Sequence, residues 1–139
     1  MFDLVLGLVP ARGELEELYS SVGWSAYTEK PENLVAMCRG SHYLACARDF
    51  SGRLIGLVRT VGDGVTITYI QDLLVHPDAQ GQGVGSSLLD AALEAVGGVR
   101  QVYISTDAHE GNKHVIDLYL SRGFRPVGDY NCLTLASFK

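Results

Sequence analysis

A glycine-rich segment between a strand pattern and a helix pattern constrains the fold more than any other feature of this chain. It runs from His76 to Ser87, and its glycines are Gly81, Gly83 and Gly85. Glycine lets the main chain turn tightly and approach a ligand, and the first N–H groups of the following helix have no partners within that helix. The segment therefore predicts a strand, a turn and a helix, with a phosphate-sized anion docking at the turn.

The residues after this segment predict a crossover between two parallel strands. Apolar residues recur at helical spacing until Gly97-Gly98, at Val84, Leu88, Ala91, Ala92 and Ala95. Val99 to Ser105 then has the composition of a strand. A strand, a helix and a second strand in this order form a right-handed crossover, so the two strands are expected to be parallel.

The N-terminal part predicts one strand and two helices. Leu4 to Leu8 forms the strand, which Pro10 ends. The first helix has the inner face Leu15, Leu18, Tyr19 and Val22. After a loop with Trp24 and Tyr27, a second helix begins near Pro31 and stops at Gly40, with Leu34, Val35 and Cys38 inward.

The middle of the chain predicts an antiparallel meander of three strands, at Tyr43 to Ala47, Leu54 to Val61 and Val65 to Val75. Turn residues separate them, at Asp49 to Gly52 and at Gly62 to Gly64. The last strand becomes apolar on both faces towards its end, which indicates an interior position in the sheet.

The C-terminal part predicts a helix from Asn112 to Arg122, capped by Gly123, and then a closing hairpin of Phe124 to Val127 with Cys132 to Ala136. No linker or repeat divides the sequence. The mixed order of strands and helices therefore predicts one α/β domain over residues 1–139.

Composition excludes several classes of function. The net charge of -5 and the absence of a basic run argue against a nucleic-acid surface. Met1-Phe2-Asp3 lacks the positive charge of a secretory signal, and no apolar stretch is long enough to span a bilayer, so we expect a cytoplasmic protein that does not bind membranes. Three scattered cysteines and four histidines form no ligand pattern, so no metal is expected.

Two motifs in register resemble one family. Gln80-x-x-Gly83-x-Gly85 follows a strand and opens a helix, and Asn112, Tyr119 and Gly123-Phe124 have the spacing of a second pattern downstream. Together they resemble the GNAT superfamily of acetyl-CoA-dependent N-acetyltransferases. The resemblance implies a central mixed β-sheet flanked by about four helices. A dinucleotide-binding fold fits less well, because Ser86 stands where the third glycine is needed.

The resemblance also implies acetyl-CoA as the cofactor, with its diphosphate on main-chain N–H groups of the glycine segment. These are expected at Gln82, Gly83, Val84, Gly85 and Ser86, with further contacts from Gln80, Gly81, Ser87 and Asn112. Backbone groups of Leu73 and Val75 would pair with the pantetheine arm, and an N–H near Leu73 or Leu74 would polarise the thioester carbonyl. Gln82 departs from the basic residue that the family often has there.

Tyr119 and Asp72 are the expected catalytic residues. By resemblance, Tyr119 protonates the leaving thiolate; the competing interpretation is a tyrosine that packs in the core. Asp72 is the only acid in the strand segment where relatives keep a general base, because Gln71 cannot act as one. Regular alternation places Asp72 opposite Tyr69 unless a bulge redirects it, and a structural role is an equal alternative.

The acceptor is expected to be a small molecule with a primary amine. Residues expected to contact it are Trp24, Tyr27, Tyr69 and Gln71. Aromatic rings suit an aryl or cationic amine, although aromatic residues near a helix end also often belong to the core. The other hypothesis is an acyl-CoA-binding or interaction domain that has lost transfer. Small family members often dimerise, and by that analogy the predicted strand at Cys132 to Ala136 offers an edge through which a homodimer could pair; the sequence leaves the oligomeric state open.

Overall fold

A computed structural model describes residues 1–139, and it divides the chain into two units, Met1–Ser105 and Thr106–Lys139. The first unit contains the whole β-sheet and four helices. The second unit contains one helix and the C-terminal residues. The expectation of a single domain over residues 1–139 stays a prediction.

One mixed sheet of five strands forms the centre of the first unit. The strands are β1 (Phe2–Leu6), β2 (Tyr43–Asp49), β3 (Leu54–Gly62), β4 (Ile67–Val75) and β5 (Gln101–Ile104), and they lie in that order in the sheet. The first four pair antiparallel, whereas β5 pairs parallel to β4. The predicted meander, the parallel crossover and the interior position of β4 are confirmed.

Five α-helices accompany the sheet: α1 (Arg12–Ser21), α2 (Ser25–Thr28), α3 (Glu32–Arg39), α4 (Val84–Ala95) and α5 (Lys113–Ser121). Glu14 stabilises the start of α1, where its carboxylate accepts the N–H of Ala11 at 3.1 Å. Gly40 caps α3 as predicted. No helix combines the length and the apolar character that a membrane span requires.

Helices cover both faces of the sheet in the first unit. One face packs with α1 and α3 around a core of Leu15, Leu18, Tyr19, Leu34, Cys38, Leu44, Cys46, Leu54, Leu57 and Leu74. The other face packs on α4: a Cβ added at Gly56 would lie 2.9 Å from both Val84 and Leu88. Gly56 therefore lets the start of α4 lie directly on the sheet.

A bulge in β4 changes which of its side chains share a face. Arg59 pairs with Asp72 and Thr60 with Ile70, so Gln71 is an extra residue in β4. Side chains of cross-strand partners point to the same face, and Arg59 is two residues from Val61, the partner of Tyr69. Tyr69 and Asp72 therefore lie on the same face, and the opposite placement that regular alternation predicts is wrong.

Several predicted boundaries need correction. β1 begins at Phe2 and ends at Leu6 rather than Leu8, because Gly7 takes a φ of +74°. β4 begins at Ile67 rather than Val65, because the carboxylate of Asp63 accepts the N–H groups of Val65, Thr66 and Ile67 and holds them in a turn. The loop predicted to carry Trp24 and Tyr27 contains the short helix α2, so three helices rather than two precede the meander.

The predicted closing hairpin is wrong. Val127–Tyr130 forms a 3-10 turn, and residues 131–139 form no strand. Alternating apolar residues there satisfied the strand pattern, but Leu133 and Leu135 are 81% and 82% exposed. A strand needs a neighbouring strand to pair its backbone groups, and this segment pairs with none.

Candidate functional site

The glycine segment forms a turn whose main chain is not covered by side chains at Gly81 and Gly83. It begins with a 3-10 turn at Pro77–Ala79, where Nδ1 of His76 accepts the N–H of Asp78 at 3.1 Å. Gly81 and Gly83 follow with φ angles of +79° and +84°. A Cβ at either glycine would meet no atom within 4 Å, so open space adjoins the backbone. A side chain here would be strained, which explains why glycine occupies both positions.

The start of α4 provides the donors predicted for an anion. Gly83 caps the helix, and the N–H of Ser87 donates to the carbonyl of Gly83 at 3.0 Å. The N–H groups from Gly83 to Ser86 precede this bond, so they have no acceptor within the helix. Together they carry about half a positive charge, which fits a diphosphate without any basic side chain.

Two glutamine side chains donate hydrogen bonds to backbone carbonyls of this segment. Nε2 of Gln80 donates to the carbonyl of Val75 at 3.2 Å, and Nε2 of Gln82 lies 3.5 Å from the carbonyl of Asp78. Gln80 thus ties the turn to the end of β4. The carbonyl of Val75, which the sequence predicted to pair with a pantetheine arm, therefore already accepts one hydrogen bond.

β4 separates from β5 before it reaches this turn. The pairing of β4 with β5 ends at Ile70 opposite Ile104, while β4 continues to Val75 and pairs there with β3 alone. The N–H of His76 donates to Ile55 of β3 at 2.8 Å, so by alternation the backbone groups of Leu73 and Val75 point away from β3. Of the two candidates for polarising a carbonyl, Leu73 faces the gap and Leu74 faces β3.

Asp72 lies at the centre of a buried polar cluster. Its Oδ2 accepts from Nε of Arg59 at 2.5 Å and from the hydroxyl of Tyr19 at 2.9 Å. Its Oδ1 accepts from the hydroxyl of Tyr27 at 2.6 Å. Asp72 is only 2% exposed and Arg59 only 6%. The cluster joins α1, α2, β3 and β4, and each oxygen of the carboxylate has a partner.

The predicted acceptor residues surround this cluster. Trp24 and Tyr27 are half-buried against the core, and their ring centroids are 6.0 Å apart. One side of each ring packs in the core, and the exposed part leaves surface that a ligand could contact. Nε2 of Gln71 lies 3.4 Å from the hydroxyl of Tyr27. Tyr69 stacks on Tyr103 at 6.0 Å. The first unit thus brings all four predicted acceptor residues to the face that carries Asp72.

Four residues of this face were not predicted from the sequence: Tyr19, Arg59, Tyr103 and Ser105. The hydroxyl of Tyr69 forms a hydrogen bond with that of Ser105, directly after the last residue of β5. The sequence did contain a signal for Arg59, because it is the only charged residue in the mainly apolar run Leu54–Val61. A charge in a buried strand requires a partner, and Asp72 is that partner.

The remaining predicted residues belong to the second unit. Tyr119 lies in α5, is 6% exposed, and packs edge-to-face with Phe124. Burial raises the pKa of its hydroxyl to about 12. Nδ2 of Asn112 donates to Thr106 Oγ1 at 2.8 Å and to the carbonyl of Asp107 at 2.7 Å. Asn112 therefore fixes the loop before α5.

Comparison with known proteins identifies relatives that are named N-acetyltransferases. An N-acetyltransferase of Porphyra purpurea named ycf52, described as uncharacterized, is 33% identical over 113 residues, which are 80% of this chain and 63% of that protein. A ycf52-like N-acetyltransferase of Prochlorococcus marinus is 32% identical over 117 residues, 80% of this chain and 61% of that protein. The matched region is thus somewhat less than two thirds of either relative.

A solved structure extends the similarity to the whole chain. SP0256 from Streptococcus pneumoniae, a GNAT family acetyltransferase, is 31% identical, with a TM-score of 0.84 over 100% of this chain and 98% of that one. The profile of the acetyltransferase (GNAT) family matches residues 12–124, from the start of α1 to the residue after Gly123. The match includes the glycine turn, the gap between β4 and β5, and α5. The chain therefore belongs to the GNAT family of acetyltransferases.

Proposed function

We propose that this protein transfers the acetyl group of acetyl-CoA directly to the primary amine of a small molecule. One observation carries the proposal: β4 leaves β5 after Ile70, and its free end leads into a bare glycine turn and the start of α4. The extended pantetheine arm of acetyl-CoA can pair with an unpaired strand end, and its diphosphate can bind at a helix start, so the cofactor requires these two features next to each other.

The residues at this end of β4 fit the cofactor. Acetyl-CoA, when bound, supplies the acetyl thioester. The N–H groups of Gln82 to Ser86 would hold the diphosphate, and the hydroxyls of Ser86 and Ser87 would add donors. Backbone groups of Leu73 and Val75 would hold the arm in the gap. The N–H of Leu73 would stabilise negative charge on the carbonyl oxygen, and loss of one such donor costs about 10²–10³-fold in rate.

Tyr119 is the proposed proton donor to the leaving sulfur. Because burial holds its pKa at about 12, its hydroxyl keeps the proton at neutral pH. General acid catalysis of this kind contributes about 10²–10⁴-fold. The loop that Asn112 fixes leads directly into α5 and would orient the helix that carries Tyr119.

The acceptor face favours a primary amine that carries an aryl or alkyl group. Rings of Trp24, Tyr27 and Tyr69 supply apolar surface, and the amide of Gln71 supplies a polar group beside them. That Asp72 is the general base stays a prediction. Its carboxylate is bonded to Arg59 and to two tyrosine hydroxyls, which favours water as the base.

The test is mass-spectrometric detection of acetylated product from acetyl-CoA and a panel of amines. The panel contains 2-phenylethylamine, n-hexylamine, spermidine and an aminoglycoside, and we expect the first two to be acetylated fastest. Acetyl-CoA binding, measured by calorimetry, should weaken at least about tenfold in Gly85→Glu, because the new negative charge lies in the first turn of α4 and offsets the positive potential there. Gly98→Glu, beyond the other end of α4, is the matched control and should bind normally.

A non-catalytic acyl-CoA-binding domain is the second candidate. It is favoured by the fully bonded carboxylate of Asp72 and by the absence of an acid at Gln71. Binding of acetyl-CoA without acetylation of any amine in the panel would support this candidate and contradict transfer.

A further inference from the structure

Tyr19 and Tyr27 make the same bond in different surroundings. Both hydroxyls donate to the carboxylate of Asp72, at 2.9 Å and 2.6 Å. Tyr19 is completely buried, whereas Tyr27 is half-buried and also lies 3.4 Å from the amide of the exposed Gln71. The hydroxyl of Tyr27 is thus the point where the buried cluster meets the acceptor face.

Several contacts fix the ring of Tyr27. The guanidinium of Arg59 lies over it, 6.0 Å from the centroid, and the ring of Tyr19 lies 4.9 Å away on another side. Because Arg59 is itself bonded to Asp72, one ion pair restrains both the ring and its hydroxyl. Such restraint lowers the entropy cost of using that hydroxyl to bind a ligand.

The protonation state of Tyr27 leaves its oxygen able to accept a bond. Burial, together with the carboxylate of Asp72, raises the pKa of Tyr27, so the phenol stays neutral. Its proton is donated to Asp72, and one lone pair faces the amide of Gln71. The guanidinium of Arg59 also lies beside this oxygen, so a donor of the ligand would take the place of the exposed Gln71 amide, whose contact is long at 3.4 Å.

We infer that the hydroxyl of Tyr27 accepts an N–H of the acceptor amine, and that Arg59 and Asp72 are positioning residues that hold this hydroxyl in place. The inference rests on the proposed acetyl transfer and assigns the acceptor subsite of that reaction. Asp72 then acts on the reaction through Tyr27 and abstracts no proton. The amine is oriented by a fixed oxygen while its apolar part lies against the neighbouring rings.

Two matched variants test this assignment. Tyr27→Phe and Tyr19→Phe each remove one hydroxyl from the same carboxylate, but only the first removes an oxygen from the acceptor face. With 2-phenylethylamine, Tyr27→Phe should raise the KM for the amine about 3- to 10-fold, the loss of one neutral hydrogen bond, and change kcat less than about twofold. Tyr19→Phe loosens the same carboxylate but removes no oxygen that can meet the amine, so it should raise the KM less than Tyr27→Phe does.

Three further readouts separate binding, positioning and structure. Thermal melting should show the larger destabilisation in Tyr19→Phe, because Tyr19 is fully buried. A purely structural role predicts that the kinetic effects follow this order, so a KM increase in Tyr19→Phe that equals or exceeds that in Tyr27→Phe would overturn the inference. Asp72→Asn should raise the KM while the acidic limb of the kcat profile against pH persists; loss of that limb would make Asp72 the base and also overturn it. Failure of the unaltered protein both to acetylate and to bind any amine would overturn the proposed function with it.

Discussion

Arg59 and Asp72 form an ion pair inside the sheet, with Nε of Arg59 2.5 Å from Oδ2 of Asp72 and both residues almost fully buried. Burying two charges costs several kcal/mol for each ion, and the pair is tolerated because hydroxyls of Tyr19 and Tyr27 satisfy the remaining acceptor sites. The bulge at Gln71 places Asp72 opposite Arg59 in the strand register. The backbone irregularity and the ion pair therefore depend on each other.

Removing one partner of this pair should be more damaging than removing both. Arg59→Met leaves an unpaired buried carboxylate and should lower the free energy of unfolding by about 3–5 kcal/mol. Arg59→Met combined with Asp72→Leu removes both charges and should recover part of that loss, because the buried hydroxyl of Tyr19 then lacks its acceptor. Urea denaturation of the two single variants and the double variant measures the coupling; additive losses would contradict it.

The outline of the first unit could be predicted from the sequence because periodicity reports burial directly. The meander, α4 and β5 each have the period that their environment requires. The bulge could not be predicted, since the pattern from Ile67 to Val75 reads equally well as a regular strand. The hairpin predicted after Phe124 does not form, although its residues alternate as those of a strand do. Strand pairing depends on a partner strand, and the local sequence does not specify one.

The surroundings of Asp72 were predicted only in part. Trp24, Tyr27, Tyr69 and Gln71 were proposed as acceptor residues through the resemblance to a family, and that role stays a prediction. Arg59 and Tyr19 were missed because their role is to neutralise and hold Asp72, and that role follows from contacts across 13 and 53 positions of the chain. A residue whose role is to hold another residue belongs to no short sequence motif, so the sequence around it does not reveal that role.

Gly56→Ala should loosen α4 from the sheet. The added methyl would lie 2.9 Å from side-chain carbons of Val84 and Leu88 and 3.3 Å from the carbonyl of Leu74, so the helix start must move. Overpacking of this kind costs about 1–3 kcal/mol. Because Val84 is the first residue of α4, acetyl-CoA affinity should fall as well. Denaturation and calorimetry measure the two effects; full affinity with lowered stability would show that the turn tolerates the shift. Gly98→Ala, where an added methyl meets no neighbour, is the control.

Gly83→Ala and Gly85→Ala should separate backbone strain from ligand contact. Gly83 has a φ of +84°, so alanine there costs about 1–2 kcal/mol of stability. Gly85 is helical, and its added methyl would make an ordinary contact 3.6 Å from Val75, so alanine should raise stability by about 0.5–1 kcal/mol. Alanine keeps the backbone N–H at both positions, so acetyl-CoA binding should weaken only in Gly83→Ala, where the strain shifts the turn and the methyl enters the open space beside it. Equal stability changes in denaturation experiments would refute the assignment of strain to Gly83 alone.

The three cysteines should differ sharply in reactivity. Cys38 and Cys46 are 2% and 1% exposed, and burial raises the pKa of their thiols to about 11 and about 12 from 9.0. Cys132 is exposed. At pH 8 we therefore expect one thiol per chain to react with a maleimide under native conditions and three in denaturant, with Cys132→Ser removing the native reaction. Rapid native labelling of more than one thiol would contradict the buried positions.

The same two thiols should make the protein less stable in alkali. A folded-state pKa above the unfolded value means that the folded state favours the neutral thiol. That contribution to stability is complete below about pH 9 and is lost as the pH rises through about 11 and 12. Cys46→Ala should flatten this loss in urea titrations between about pH 9 and pH 12, at the cost of a small cavity. An unchanged slope would assign the alkaline loss to the buried tyrosines.

Tyr119→Phe should reduce turnover by about 10²–10⁴-fold while acetyl-CoA binding, measured by calorimetry, stays nearly unchanged. The reason is that phenylalanine keeps the ring beside Phe124 and removes only the proton that the mechanism assigns to the leaving sulfur. With its pKa near 12, the hydroxyl of Tyr119 should cause no decline of kcat in the unaltered protein between pH 7 and about pH 10. Tyr130→Phe, a 65% exposed position in the same unit, is the matched control and should keep full turnover. If Tyr119→Phe turns over as fast as this control, sulfur is protonated by water or by another residue, and Tyr119 serves only to pack α5.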